Sequence, residues 1–447
     1  MWTYEVAVAP GGGELAVDAT LAAGAGSELS VDDGAEPFVR DVQLEQAGEW
    51  KPVKPRGTSW FVAACARGCR LRYRFELRRA ADALGTEVAM RLGEAIEAPP
   101  ESWLLHPINS AQRGTFRFHV TTPPGQSFAS GVHLWPGAAG TYQADVLDLP
   151  DAPYSVFGAL RIERLQSHGG QLELAFVPLK RALTDDQVRD WIRSAADAVG
   201  SYYQRFPIER VLIIVAAQSG QDSHGRTLGN GGATILFYVG EERTHAELGQ
   251  DWVLVHELTH LAFPSMPRGL TWIEEGLATY VEPLERVRLG QLAPEVLWGE
   301  LVSGLPKGLP ASGDRGLDRT HTWGRIYWGG ALFCFLADLE LREKSGNRKS
   351  LDDALRGIVA QGGNISVRWT LDEALAAGDR ATGLPVLVPL HKKMGSAPME
   401  VDLDAAFRRL GVRVEGGHVR FDDSAPLANL RRSITTGTTG TTGTPAR

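Results

Sequence analysis

His256-Glu257-Leu258-Thr259-His260 places two imidazoles and a carboxylate within five residues. On a helix of 3.6 residues per turn, positions i and i+4 share a face, so His256 and His260 stack and can converge on one divalent cation. Glu257 sits about 100° further round the helix. Its carboxylate then reaches the open coordination position of that cation instead of the cation itself, the placement needed to take a proton from water. By chance such a five-residue pattern is expected only about 0.02 times in a chain of this composition.

A third ligand follows. Thr271-Trp272-Ile273-Glu274-Glu275-Gly276-Leu277-Ala278 opens a second helix and offers two carboxylates. Thr271 and Glu274 fit a capping box, which gives Glu274 a structural task. Glu275 is left to point elsewhere, and Gly276 beside it allows close approach of another helix. Two histidines and one glutamate leave a fourth position open for water, the pattern of catalytic zinc; structural zinc is closed by a fourth protein ligand. The expectation is therefore Zn2+ on His256, His260 and Glu275, with Glu257 as the general base.

His256-Glu257-Leu258-Thr259-His260 followed by Trp272-Ile273-Glu274-Glu275-Gly276 resembles the gluzincin metallopeptidases, whose second motif reads Trp-Leu-x-Glu-Gly and whose Glu is the third zinc ligand. The runs Tyr327-Trp328-Gly329-Gly330-Ala331-Leu332, Asp338-Leu339-Glu340-Leu341-Arg342 and Ser350-Leu351-Asp352-Asp353 are similar to the glycyl aminopeptidase family. The resemblance implies a thermolysin-like catalytic domain, an N-terminal β domain, and a peptide or protein substrate. It also implies that Tyr327 donates a hydrogen bond to the oxyanion of the transition state, with Tyr238 a weaker substitute. The sequence departs from that family in a shorter gap between the His pair and the third ligand. It departs again at Gly231-Gly232-Ala233-Thr234-Ile235, where family members carry Gly-Gly-Leu-Glu-His and aminopeptidases hold an acid for the substrate ammonium. Cleavage by an aminopeptidase-like enzyme, by a zinc endopeptidase, or a catalytically degenerate binding module of the same fold all remain open at this point.

The elements that must position these residues are legible as patterns. Residues 1–180 read as an antiparallel β-sandwich-like domain: Trp2, Tyr4, Val6 and Val8 alternate with less apolar positions, as do Leu71, Tyr73, Phe75 and Leu77 and then Phe116, Phe118 and Val120. Thr184 and Gln187 form a capping box that opens a helix, which Gly200 can stop. Val211–Val215 and Ala233–Val239 read as strands. Gly231, Gly232 and Ala233 are candidates for substrate binding, because a peptide can add by main-chain hydrogen bonds to an exposed strand edge where glycines permit close approach. Thr244 and Glu247 suggest another capping box, opening a helix that runs to Pro264. The whole is a multidomain α+β chain. Residues 1–180 form the β domain, 181–361 a mainly helical catalytic domain with a small edge-exposed sheet, and 362–434 a mixed C-terminal region. Residues 435–447 form a disordered Thr/Gly tail.

Composition sets the limits. Net charge is −8 over 447 residues, so the chain as a whole carries no basic footprint for nucleic acid. No apolar stretch is long enough for a transmembrane segment. Met1-Trp2-Thr3-Tyr4-Glu5 has no basic n-region and no apolar h-region, so no signal peptide is present as written; either the protein is cytosolic, or a leader has been removed, which would favour a periplasmic or secreted location. Cys65 and Cys69 are either a bridge across a hairpin in an oxidising compartment or two thiols near a turn, and Cys334 reads as a small core residue. His321, Trp323 and Arg325, just before Tyr327, either line the cleft or are solvated or structural.

Overall fold

The computed structural model describes residues 1–24, 26–108 and 113–437. The chain divides into two compact units. The first holds Met1–Gln166, Gln171–Arg189 and Arg210–His245; the second holds Ser167–Gly170, Asp190–Glu209 and Ala246–Arg447.

The first unit is built on the alternation read from the sequence. Trp2–Val8 shows buried Trp2, Tyr4, Val6 and Val8, and Leu15–Leu21 pairs with it in antiparallel register, burying Leu15, Val17, Ala19 and Leu21. These strands lie in a seven-stranded sheet in the order Thr141–Asp145, Thr115–Thr121, Trp2–Val8, Leu15–Leu21, Cys69–Phe75, Val39–Gln46, Glu49–Pro52. One pair breaks the antiparallel rule, because Trp2–Val8 and Thr115–Thr121 run parallel. Trp103, Phe116, Phe118, Phe128, Tyr142 and Phe157 pack as stacked and edge-to-face rings in the core behind the sheet. The alternation through Leu77 ends two residues early: the strand stops at Phe75, and Leu77 begins a helix, Leu77–Leu84, closed by left-handed Gly85. Cys65 and Cys69 are joined as a disulfide, and Cys334 is free and buried.

A five-stranded sheet follows the order Arg161–Ser167, Gly170–Phe176, Arg210–Gln218, Thr234–Gly240, His224–Leu228. Its middle strands are parallel and its last pair antiparallel. Val211 to Val215 are wholly buried, as a continuous apolar run in a parallel strand requires. Residues 210–245 thus cluster with the β unit, although sequence patterning groups them with the helices.

The second unit is helical. Thr184 and Gln187, which belong to the first unit, make their reciprocal capping bonds, and the helix they open, Asp185–Tyr203, runs on into the second unit from Asp190; it continues past Gly200, where a Cβ would lie 2.4 Å from the His168 Nδ1. The C-terminal region is more ordered than its weak periodicity suggests. Thr370 and Glu373 form a capping box opening Leu371–Thr382, and Leu387–Met394, Leu403–Leu410 and Ala428–Thr436 follow. The expected tail also starts later. Thr435 and Thr436 close the last helix, and Thr435 Oγ1 accepts the Trp298 Nε1 proton at 3.0 Å; residues 438–447 lie outside the described residues.

A buried ionic network ties these helices together. Asp338 accepts from Arg342 Nε at 2.9 Å, from the Leu351 amide at 2.8 Å and from Tyr280 Oη at 3.1 Å. Asp352 accepts from Tyr202 Oη and Arg288 Nη1, both at 2.8 Å, and Arg288 Nη2 donates to the Ile434 carbonyl at 2.7 Å. Asp338, Arg342 and Asp352 have no solvent exposure. Desolvating these charges is tolerable only because each has partners, so removing one leaves another stranded. Asp338→Ala is expected to cost about 3–5 kcal/mol of stability by orphaning Arg342, measured as a shift in the urea unfolding midpoint; a change under about 1 kcal/mol would show that water reaches the guanidinium.

Candidate metal centre

The His-Glu motif lies on the helix Val253–His260, and Glu275 lies on Thr271–Arg288. The expected single helix from Thr244 to Pro264 is instead a 3-10 turn, His245–Gln250, then a break and the α-helix. Asp251 makes the new start: its Oδ1 accepts the Val253 amide at 3.0 Å, satisfying one of the orphan donors of a helix N-terminus. The motif helix is buried from Leu254 to Thr259. Thr259 Oγ1 donates to Glu285 Oε2 at 2.7 Å, which fixes the motif helix to the neighbouring one.

His256, His260 and Glu275 each offer one ligand atom, and these atoms all lie within 4.8 Å of one another. Glu275 Oε2 is 3.2 Å from His256 Nε2 and 3.8 Å from His260 Nε2. Tetrahedral zinc with bonds of about 2.0–2.2 Å separates its ligand atoms by roughly 3.3–3.5 Å, so this donor set fits the ion. The two imidazoles meet at 88° with centroids 4.9 Å apart, each turning a nitrogen toward the carboxylate. Burial pushes the Glu275 carboxyl up, but the His256 bond, the adjacent imidazoles and the Tyr327 hydroxyl outweigh it and hold the group below its ordinary range. Burial holds the His260 imidazole low. Both shifts favour the protonation states that ligate a metal: anionic carboxylate, neutral imidazole.

Glu274 also has a structural role, but not the expected one. Thr271 is spent on the Arg268 carbonyl, so no capping box forms, and Glu274 Oε1 accepts the Met266 amide at 3.1 Å instead. That bond ties down the loop joining the two helices. Burial pushes the Glu274 carboxyl up to about 8, a poor state for a metal ligand.

Tyr327 arrives on a π-helical turn, Arg325–Gly329, that runs into the helix Gly330–Ser345. Such turns often mark functional positions, because the extra residue re-aims a side chain. Here it sets the Tyr327 hydroxyl beside the Glu275 carboxylate. Burial, with the charges of Glu275 and Glu257, pushes that hydroxyl up to about 12, so it stays a neutral donor. The turn is held by backbone contact: a Cβ on Gly276 would lie 2.2 Å from Gly330, and one on Gly308 would lie 2.2 Å from the Trp328 carbonyl carbon. Buried Arg325 pairs with Asp314 at 2.8 Å and donates to the Gly308 carbonyl, which settles its role as structural.

No protein-family model and no curated protein sequence matches this chain. Solved structures do. An aminopeptidase N family protein from Idiomarina loihiensis superposes with a TM-score of 0.66 at 15% identity, over 93% of this chain and 79% of that one. An M1 zinc metallopeptidase from Deinococcus radiodurans gives 0.54 at 14% identity, over 90% of this chain and 94% of that one. A mutant of that metallopeptidase bound to a Tyr-Ser-Ala substrate gives 0.54 at 15% identity, with the same coverage. The fold is that of the M1 zinc metallopeptidases. It is the gluzincin aminopeptidase-like architecture, β-rich first and helical after.

Within this M1 fold the residues read from the sequence separate into two groups. His256, Glu257, His260, Glu275 and Tyr327 are brought together in the second unit. Tyr238 lies in the first unit, bonded to Met90 Sδ at 3.2 Å and stacked on His224. Gly231, Gly232 and Ala233 are also in the first unit and are not a free strand edge. The His133 amide donates to the Gly231 carbonyl at 2.9 Å, the Ala233 amide donates to Gly131 at 3.0 Å, and Ala233 O accepts from Leu212. A Cβ on Gly232, at φ +150°, would meet the Gly131 carbonyl at 2.1 Å. These glycines serve a close backbone packing, and the edge of that sheet is His224–Leu228.

Two supports escaped sequence reading. Asp318 accepts from Trp272 Nε1 at 3.0 Å and pairs with His391 Nε2 at 3.1 Å, so the C-terminal helix Leu387–Met394 steadies the start of the Glu275 helix. The π turn has no sequence periodicity of its own; only the glycines at 324, 329 and 330 hint at it. Gly276→Ala is expected to force the Glu275 helix away from the π turn, costing about 1–3 kcal/mol. It should lower zinc retention in a chelator competition, whereas Gly269→Ala, where a Cβ meets nothing within 4 Å, should not.

Proposed function

We propose that this protein is a zinc-dependent, aminopeptidase-like peptidase that hydrolyses peptide bonds with an activated water. The observation that carries this reading is the convergence of three ligand-type atoms within 4.8 Å beside a buried glutamate and a tyrosine hydroxyl. Zinc on His256, His260 and Glu275 would supply Lewis acidity toward a carbonyl and acidify a water near neutral pH. Glu257, one residue along the helix and buried, takes the proton from the attacking water and delivers it to the leaving amine. Tyr327, a neutral hydroxyl beside Glu275, donates a hydrogen bond to the carbonyl oxygen as negative charge grows there. A donor that stays protonated well above neutral pH suits that task. The peptide-bound relative of the same fold is consistent with a peptide as substrate.

Glu257→Gln is expected to keep one zinc per chain by elemental analysis while losing about 10²–10⁴-fold in turnover of peptides; undiminished turnover would remove Glu257 from the mechanism. Glu275→Ala should lose the metal itself. Tyr327→Phe should lower kcat about 10²–10³-fold with KM little changed; an equal loss confined to KM would make Tyr327 a ground-state contact only. Comparing free and N-acetylated peptides separates the two modes of cleavage: faster hydrolysis of free amines supports an exopeptidase, and indifference supports an endopeptidase.

A further inference from the structure

Resting on the peptidase reading above, we propose that Trp252 and Trp323 form the specificity wall of the site and select substrates with a bulky apolar or aromatic side chain next to the cleaved bond. Trp2, Trp103, Trp272 and Trp298 are fully buried. Trp252 and Trp323 are 50% and 59% exposed, the two tryptophans among the exposed large apolar residues described. An indole left in water forgoes the free energy its buried counterparts gain.

Each of these indoles makes ring contact with a residue of the site. Trp252 meets His256 edge to face, with centroids 5.3 Å apart and planes at 84°. Trp323 lies 5.8 Å from Tyr327 with planes at 31°. His256 Nε2 lies 3.2 Å from Glu275 Oε2, and the Tyr327 hydroxyl stands close enough to act on the same carboxylate. Each exposed indole is therefore one ring removed from a group on the metal-ligating carboxylate.

Both are held in place. The Trp252 carbonyl accepts the His256 amide at 3.0 Å at the start of the motif helix. Trp323 stands four residues before Tyr327, and Lys307 Nζ lies 5.9 Å from its ring centroid and 5.6 Å from that of Trp328. Rigid aromatic side chains with two torsions present large contact area at low entropic cost. A substrate side chain that covers them removes apolar surface of both partners from water, which rewards large apolar residues over small ones.

The test uses the full chain loaded with zinc and two metal-anchoring probes, L-phenylalanine hydroxamate and glycine hydroxamate, in equilibrium titrations. The parent should bind the phenylalanine probe at least about tenfold more tightly. Trp252→Ala and Trp323→Ala should each cut that ratio about threefold, and the double variant should bring it near one. Trp→Phe at either position should restore most of it, and the glycine probe and zinc content should change little. Equal affinities in the parent, an unchanged ratio in the double variant, or parallel loss of both probes with loss of zinc would overturn the proposal. Peptide turnover by the parent is scored separately. Selective binding without hydrolysis would retire the peptidase reading and leave the wall standing; hydrolysis without a side-chain ratio would retire the wall alone.

Discussion

The contact between the backbones at Gly276 and Gly330 governs the rest of the site. Two helical segments touch there without side chains between them. That approach brings the π turn alongside the helix bearing Glu275, and so brings a tyrosine hydroxyl to a carboxylate that two imidazoles already face. Glu275 is the meeting point of three separately folded pieces: the motif helix, its own helix and the π turn. Each supplies a group that prefers this carboxylate charged. The low-dielectric surroundings make that preference strong.

Around this point the protein uses charge where an apolar core would also pack. Asp338, Arg342 and Asp352 are fully buried, as is the Tyr202 ring that bonds to Asp352. Such networks add little net stability over well-packed apolar residues, but they fix geometry, because each partner has few alternative positions. The helix ends they join are those that carry or brace the site. The Asp318 carboxylate does the same at the other end, holding Trp272 three residues from Glu275.

The features legible in the sequence were those written locally. His256 and His260 share a face because helical spacing alone demands it. Thr184 and Gln187 cap because three residues separate them. Alternation marked the strands of the first unit, and its buried run marked Arg210–Gln218. The features that escaped depend on partners distant in the chain. Thr271 matched the capping pattern, yet the 3-10 turn Arg268–Leu270 offered it a nearer carbonyl. Gly231 and Gly232 signalled close approach correctly, but the neighbour is the segment Gly131–His133, a hundred residues earlier in the chain. The C-terminal helices have weak periodicity because their buried faces are short and partly polar, as at Arg431 and Thr435.

The last helix has a practical corollary for anyone handling this protein. Ile434 and Thr435 are bonded to Arg288 and Trp298, deep in the helical unit. A shortened version that discards the Thr/Gly repeat must keep the chain through Thr436, since cutting even three residues sooner would unseat the guanidinium that neutralises Asp352. An affinity handle placed beyond Gly437 leaves the Ile434 and Thr435 contacts in place.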